Sequence, residues 1–380
     1  MSKRLKVMTI LGTRPEIIRL SAVIKRCDEY FDHILVHTGQ NYDYKLNEIF
    51  FEELGLRNPD YYLNAVGSNL GETIGNIISK SFDVMVKEKP DAVLILGDTN
   101  SALSVIGAKR LKIPVFHMEA GNRCFDENLP EEVNRRMVDN ISDVNMCYTE
   151  HARRYLYASG LPKERIFVTG SPMAEVLSSN MDKIESSKVL ETLGLEPKKY
   201  ILLTAHREEN IDREDNFNEL INSINTLAET YNMPIIYSTH PRSRKMIEER
   251  GVKFNPLVRS LEPFGFFDFN CLQMNAYCVV SDSGTLPEEA SFFAAKGHAF
   301  PAVVIRSSTE RPEALDTGNF ILGNVSAEQV LQSVEMAVKL NDAGLIGSPV
   351  ASYVDENVSV KAVKIIQSYT GIVNKVVWNK

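Results

Sequence analysis

Carboxylates close several of the most apolar runs in this sequence, and that placement is the first sign of chemistry. "AVLILGDTNS" sets Asp98 just after one such run, and "VFHMEAGNR" does the same for Glu119. Asp98, followed by Thr99 and Asn100, can either cap a helix or transfer a proton. Glu119 precedes Ala120-Gly121, a poor helix start, which favours the acid–base role. Acids at neighbouring strand ends face one crevice, where burial and mutual repulsion separate their pKa values. A further pair follows in "LPEEVNRR". Glu131 and Glu132 occupy a first helical turn, where either complements the helix dipole. Adjacent helical positions point about 100° apart, so one of the two can face a cleft while the other faces water.

The basic residues suit an anion. "GTRPE" puts Arg14 beside a helix start, with Pro15 at the first helical position. "LLTAHREEN" ends an apolar run in His206 and Arg207, and "STHPRSR" ends another in His240 and Arg242. Two His/Arg pairs at strand ends fit the charge of a pyrophosphate. "VVSDSGTLPEEA" reads as strand, turn and helix, so Ser283, Gly284 and Thr285 offer backbone N–H groups to an anion. Glu289, one turn in, can accept both hydroxyls of a ribose or simply complement the dipole. "STERPEALDTG" sets Arg311 and Glu313 around Pro312. The chain lacks both G-x-G-x-x-G and the P-loop motif, which argues against a nicotinamide cofactor and a P-loop nucleotide site. No cluster with metal-ligand spacing stands out, so neither a metal nor another cofactor is implied.

These residues need a scaffold of buried strands. "LKVMTILG", "HILVHTG", "AVLILGD", "VFHMEAG", "VNMCYT" and "IFVTG" are short apolar runs separated by helical patterns. The pattern restarts with "YILLTAH", "MPIIYSTHP", "AYCVVSDSG" and "AFPAVVIRS". Apolar runs without alternation indicate parallel strands covered on both faces, hence two doubly wound α/β domains. The boundary is expected near Gly170 to Ala174, giving domains 1–172 and 173–356. A last helix over about 357–380 is expected to return to the first domain. Ligands of open α/β sheets bind outside the carboxyl ends of the strands, so the expected site lies in the cleft between the two sheets.

Composition narrows the function class. At 380 residues the chain is long for one core and comfortable for two. A formal charge of −8 argues against nucleic acid or an anionic membrane as partner. Five cysteines, odd in number and without a close pair, suit the reduced thiols of a cytoplasm. No apolar run approaches the roughly 18 residues of a membrane span. The first apolar run reads as a strand rather than a secretory signal.

Taken together, "GTRPE", "GDTNS", "HMEAGNR", "PEEVNRR", "TAHREEN", "DSGTLPEEA" and "STERPEALDTG" resemble, in order and spacing, the non-hydrolysing UDP-N-acetylglucosamine 2-epimerase family. The resemblance covers nearly the whole chain. It implies a GT-B fold, with two Rossmann-like domains and the active site between them. It implies catalytic carboxylates at Asp98, Glu119 and Glu131, with His206 assisting the departing diphosphate. Nucleotide contacts are implied for Arg14, Ser283, Gly284 and Glu289, while Arg19 stands where many relatives carry lysine. Thr285, Arg207, His240 and Arg311 complete the expected substrate-binding set. In the family mechanism the carbon-2 proton and UDP are lost together, leaving a 2-acetamidoglycal to which UDP adds back. The family also suggests a homodimer.

The departures point to a branch. The loop "NRCFDENL" before "PEE" is short, Ile211-Asp212 follows "HREEN", and Pro287 stands where glutamine is usual. These resemble the UDP-N-acetyl-L-fucosamine synthases of capsule and O-antigen pathways, which epimerise UDP-2-acetamido-2,6-dideoxy-β-L-talose. The alternative substrate pair is UDP-N-acetylglucosamine and UDP-N-acetylmannosamine. Two rival functions are a GT-B glycosyltransferase, disfavoured by the crowded acids, and a catalytically silent UDP-sugar sensor, disfavoured by the retained acids and His206. Gln40, Arg207 and His240 match parts of the allosteric UDP-sugar site of bacterial relatives, although "NYDYKLN" after Gln40 differs from the usual run.

Overall fold

The computed structural model describes residues 3–39 and 44–380, with side chains throughout except at 44–48 and 208. Gln40 lies outside the described residues. The chain divides into two compact units, one formed by Met1–Ser178 with Asp355–Lys380 and the other by Ser179–Val354.

The first unit is built on strands β1 (Lys6–Leu11), β2 (Asp32–His37), β3 (Tyr61–Tyr62), β4 (Ala92–Leu96), β5 (Val115–Met118), β6 (Val144–Cys147) and β7 (Ile166–Val168). They form one sheet in the order β3-β2-β1-β4-β5-β6-β7, every neighbouring pair parallel. The central strands are mostly apolar because both faces are covered; all five residues of β4, "AVLIL", are apolar and buried. Met8, Ile10, Val93, Ile95, Val115 and the helical Val84 and Val138 belong to one core on this sheet. Each such aliphatic side chain contributes about 1.5–3 kcal/mol when fully buried.

The helix Val358–Trp378 belongs to this unit and packs on the helix Arg14–Tyr30. Its first turn is pinned by Glu175, which accepts hydrogen bonds from the Ser359 backbone N–H (2.8 Å) and hydroxyl.

The second unit holds β8 (Ile201–Thr204), β9 (Ile235–Ser238), β10 (Val258–Leu261), β11 (Cys278–Ser281), β12 (Ala302–Ile305) and β13 (Ile321–Gly323). Their order is β10-β9-β8-β11-β12-β13, again all parallel. Ile201, Leu203, Ile235, Val280 and Val303 form its core with the helical Leu220, Ile224 and Val334. Both sheets are doubly wound, as the unalternating apolar runs require. The sequence reading did not include β3, β10 and β13. These are short strands, and β10 carries the exposed Arg259 and Ser260, so none displays a continuous apolar run. Among the described residues, no helix is long and apolar enough to cross a membrane.

Strand order fixes where a ligand can enter. In each sheet the winding reverses once, between β1 and β4 and between β8 and β11. Loops leaving those strands diverge to opposite faces and open a crevice at the carboxyl ends.

Candidate active site

The first reversal point gathers charge. After β1, the helix Arg14–Tyr30 starts with Pro15 in its first turn. Glu16 turns back and accepts hydrogen bonds from the Gly12 N–H (3.0 Å), the Thr13 hydroxyl (2.8 Å) and the Ser101 hydroxyl. Those bonds clamp the β1 turn to the loop after β4. Burial raises the Glu16 carboxyl above the usual glutamate value, with the hydrogen bonds opposing. Arg14 is half-buried, with its guanidinium 5.6 Å from the centre of the Phe50 ring.

Asp98 follows β4 after the single residue Gly97. Its Oδ2 accepts from Arg135 Nε (3.0 Å) and Nη2 (2.6 Å), while Thr99 takes the cap position of the next helical turn. Of the two sequence readings, the structure thus replaces capping with an ion pair. The Asp98 carboxyl is held above the usual aspartate range, first by burial and then by the charges of Glu119 and Glu131, with Arg135 pulling the other way. A carboxyl raised toward neutrality is suited to exchanging a proton.

Glu119 directly follows β5 in a left-handed backbone conformation, φ 65°, which a residue with a Cβ rarely adopts. Its buried carboxylate pairs with Arg19 and lies 3.4 Å from Asn122 Nδ2. Gly121, two residues on at φ 84°, has no room for a side chain, since a Cβ would strike the Ala152 carbonyl. Non-glycine residues held at positive φ mark sites where the surroundings override local preference.

The adjacent glutamates of the helix Pro130–Ile141 separate in environment. Glu132 is fully buried and accepts from the Cys124 N–H (3.1 Å), Arg135 Nη1 (3.0 Å) and Arg136 Nε (3.1 Å). Glu131 is half-buried and has no hydrogen-bond or ion-pair partner among the described residues. It nevertheless lies close enough to Asp98 to raise that carboxyl.

The second reversal point carries the anion-seeking groups. Asp282, at the end of β11, is fully buried. Its Oδ2 accepts from the backbone N–H groups of His206 (2.8 Å) and Arg207 (2.8 Å) and from Asn210 Nδ2 (3.1 Å), and its Oδ1 lies 3.2 Å from His206 Nδ1. Burial opposes its charge, yet His206 and these donors bring it down to about 2. The outward part of the His206 ring stays one-third exposed, its centre 5.9 Å from that of His240. His240 itself caps the helix Pro241–Glu249, accepting from the Arg242 N–H at 3.3 Å.

Ser283, Gly284 and Thr285 form the half-buried turn into the helix Leu286–Ala295. A Cβ on Gly284 would stand 2.5 Å from Glu310 Oε1 and 3.4 Å from Arg207 Nη2. Glu310 cannot yield easily, because Arg306 Nη1 holds its other oxygen at 2.6 Å. Glu289 is buried and accepts from Gln273 Nε2 at 2.7 Å. Arg311 is buried too, with Nε (3.0 Å) and Nη2 (2.7 Å) on Glu288, so its guanidinium is held by this helix from within the unit.

Asp98, Glu119 and Arg19 therefore meet in the first unit with Glu131 near Asp98. His206, Arg207, His240 and the Ser283–Thr285 turn share one sheet end in the second. Sequence reasoning missed Arg135, Glu16, Asp282, Arg306 and Glu310. Asp282 was the readable one, since it closes an apolar strand as Asp98 does. The others depend on pairings between distant segments.

Two parallel sheets, each presenting polar groups at its reversal point, define a GT-B-type α/β protein. The family model described as UDP-N-acetylglucosamine 2-epimerase matches residues 25–367. This chain belongs to that family. It is 37% identical over 341 residues to the UDP-N-acetylglucosamine 2-epimerase of Methanocaldococcus jannaschii, covering 87% of this chain and 92% of that one. A crystal structure of the M. jannaschii UDP-GlcNAc 2-epimerase in complex with UDP-GlcNAc and UDP has a TM-score of 0.88 at 34% identity, covering 96% of this chain and 99% of that one. The structure of UDP-N-acetylglucosamine 2-epimerase from Rickettsia bellii aligns with TM-score 0.90 and 48% identity over 99% of this chain and 100% of its own. The UDP-2,3-diacetamido-2,3-dideoxy-D-glucuronate 2-epimerase of Pseudomonas aeruginosa is 32% identical over 361 residues, 92% of this chain and 99% of that one.

Proposed function

We propose that this chain inverts carbon 2 of a UDP-2-acetamido sugar by eliminating UDP and adding it back. The carrying observation is Glu131, a carboxylate with no partner among the described residues, electrostatically coupled to the raised carboxyl of Asp98 in a member of an epimerase family.

Carbon 2 of such a sugar has no adjacent carbonyl, so removing its proton alone would be prohibitively costly. Breaking the C2–H and C1–O bonds together forms a C1–C2 double bond, and the diphosphate leaves with the C1–O electron pair. The reverse addition with protonation on the opposite face yields the epimer. Two faces require at least two acid–base groups, drawn from Asp98, Glu119 and Glu131. His206, oriented by Asp282, assists the leaving diphosphate. Arg14, Arg19 and Arg207 add positive charge, His240 offers its outer ring nitrogen, Arg311 holds the helix Leu286–Ala295 through Glu288, and the Ser283-Gly284-Thr285 turn adds a helix N-terminus. Glu289 is assigned to the ribose. The active form is taken to be a homodimer, which analytical ultracentrifugation would check.

The relatives favour UDP-N-acetylglucosamine and UDP-N-acetylmannosamine as the substrate pair. A second reading, UDP-2-acetamido-2,6-dideoxy-β-L-talose, is supported by the short "NRCFDENL" loop next to Glu131. Each UDP-sugar is incubated with purified protein and the mixture resolved by proton NMR. The preferred substrate equilibrates with its carbon-2 epimer. Failure of both to epimerise contradicts the reading.

A further inference from the structure

We propose that Asp139 is a positioning residue that sets the turns carrying Asp98 and Glu119 in register with Glu131. The inference rests on the reading of those three acids as the reacting groups.

Glu131, Arg135 and Asp139 recur every four residues along the helix Pro130–Ile141 and so share one face. Arg135 grips Asp98, as described. Asp139, with no solvent exposure, reaches both strand-end turns at once. Toward β4 it approaches His117, also fully buried: Asp139 Oδ1 is 3.0 Å from His117 Nδ1, an ion-pair distance without hydrogen-bond alignment, and His117 Nε2 is 2.9 Å from the carbonyl oxygen of Gly97. Gly97 is the residue before Asp98. Toward β5 it acts directly, because Oδ1 accepts from the Gly121 N–H at 3.1 Å, two residues after Glu119. Its Oδ2 accepts from Arg123 Nη1 at 2.7 Å, and that same nitrogen donates to the Asn122 carbonyl at 2.7 Å.

A carboxylate needed only to neutralise Arg123 would have no use for the His117 and Gly121 contacts. Glu119 needs them, since its backbone is held at a φ that isolated glutamate avoids. The helix therefore carries Glu131 and also dictates where the other two acids stand relative to it. Transfer at carbon 2 depends on that spacing, and a displacement of about 1 Å costs on the order of 100-fold in rate.

The test compares Asp139→Asn, His117→Gln and the double variant with the native protein, by crystal structure and steady-state kinetics. In Asp139→Asn the Gly97–Asp98 and Glu119–Gly121 backbones are expected to move. The turnover number kcat falls on the order of 100-fold, with KM and the Kd for UDP within about threefold of native. The double variant is no slower than the slower single one, because both act through one network. Superimposable turns with near-native kcat overturn the proposal. So does a loss of kcat that merely follows a loss of folded protein and of UDP affinity. If Asp139→Asn fails to fold, Asp139→Glu keeps the charge beside Arg123 but alters its reach; reduced kcat sustains the proposal and native kcat overturns it. Should the native protein epimerise no UDP-sugar, the functional reading fails by itself, while the variant crystal structures still decide whether Asp139 anchors the turns.

Discussion

Arg135 binds Asp98 through two nitrogens, at 3.0 and 2.6 Å on the same carboxylate oxygen, from a helix whose first turn carries Glu131, unpaired among the described residues. One helix thus orients one acid and contributes another. Burial first, then the charges of Glu119 and Glu131, keep the Asp98 carboxyl raised against the pull of Arg135. Four further consequences can be measured.

Glu131→Gln removes a carboxylate that no other described group uses. Carbon-2 exchange is expected to fall by about 10²–10⁴-fold, the usual range for a lost acid–base group. UDP affinity and Tm should stay near native, which isothermal titration and thermal unfolding would check. Near-native exchange would remove Glu131 from the mechanism.

Glu132→Gln at the next position should behave in the opposite way. Glu132 is buried and accepts from Cys124, Arg135 and Arg136, so its neutralisation removes one of the two carboxylates facing the buried Arg135 and leaves Arg136 to Glu127 alone. A cost of about 1.5–3 kcal/mol in chemical denaturation is expected.

Asp282 makes stability depend on pH. Its carboxyl is depressed to about 2 in the folded protein, against an ordinary 3.8. The stability it contributes is therefore fully present above about pH 4 and lost as pH falls toward 2. The difference of roughly two pKa units corresponds to about 2–3 kcal/mol. Asp282→Asn should be destabilised relative to native at pH 6, and the gap should narrow by pH 3. A gap independent of pH would contradict the assignment.

Gly284→Ala would push a methyl group into Glu310 and toward Arg207. Because Arg306 fixes Glu310, the turn itself must shift, weakening the helix N-terminus as an anion seat. UDP binding is expected to weaken by about tenfold or more, equivalent to about 1.4 kcal/mol. Unchanged affinity in calorimetry would show that this turn does not hold the nucleotide.

The fold was legible where burial on both faces forces a run of consecutive apolar residues, as in β4, β8 and β11. It was illegible at the short outer strands: "YY" of β3 and "VRSL" of β10 carry too little apolar patterning to distinguish them from loop. Residues at the candidate site were visible when chain position alone exposed them. Asp98, Glu119 and His206 stand just beyond apolar strands, and parallel sheets put strand ends at the crevice. Their partners were hidden because the pairing is tertiary; Arg135 and Asp98 are distant in sequence and meet only once the helix packs against β5 and the turn after β4. Adjacent acids pose the same difficulty. Packing alone separates Glu131 from Glu132, and Glu288, on Arg311, from Glu289, on Gln273.

The central claim is that carbon 2 loses and regains a proton while UDP leaves and returns. Its most direct test is NMR of the purified protein with UDP-N-acetylglucosamine, and separately with UDP-2-acetamido-2,6-dideoxy-β-L-talose, in deuterated water. The expected result is deuterium at carbon 2 of the inverted product for at least one of the two sugars, with exchange lost in Glu131→Gln. Inversion without deuterium, or release of UDP only when an acceptor is supplied, would contradict it.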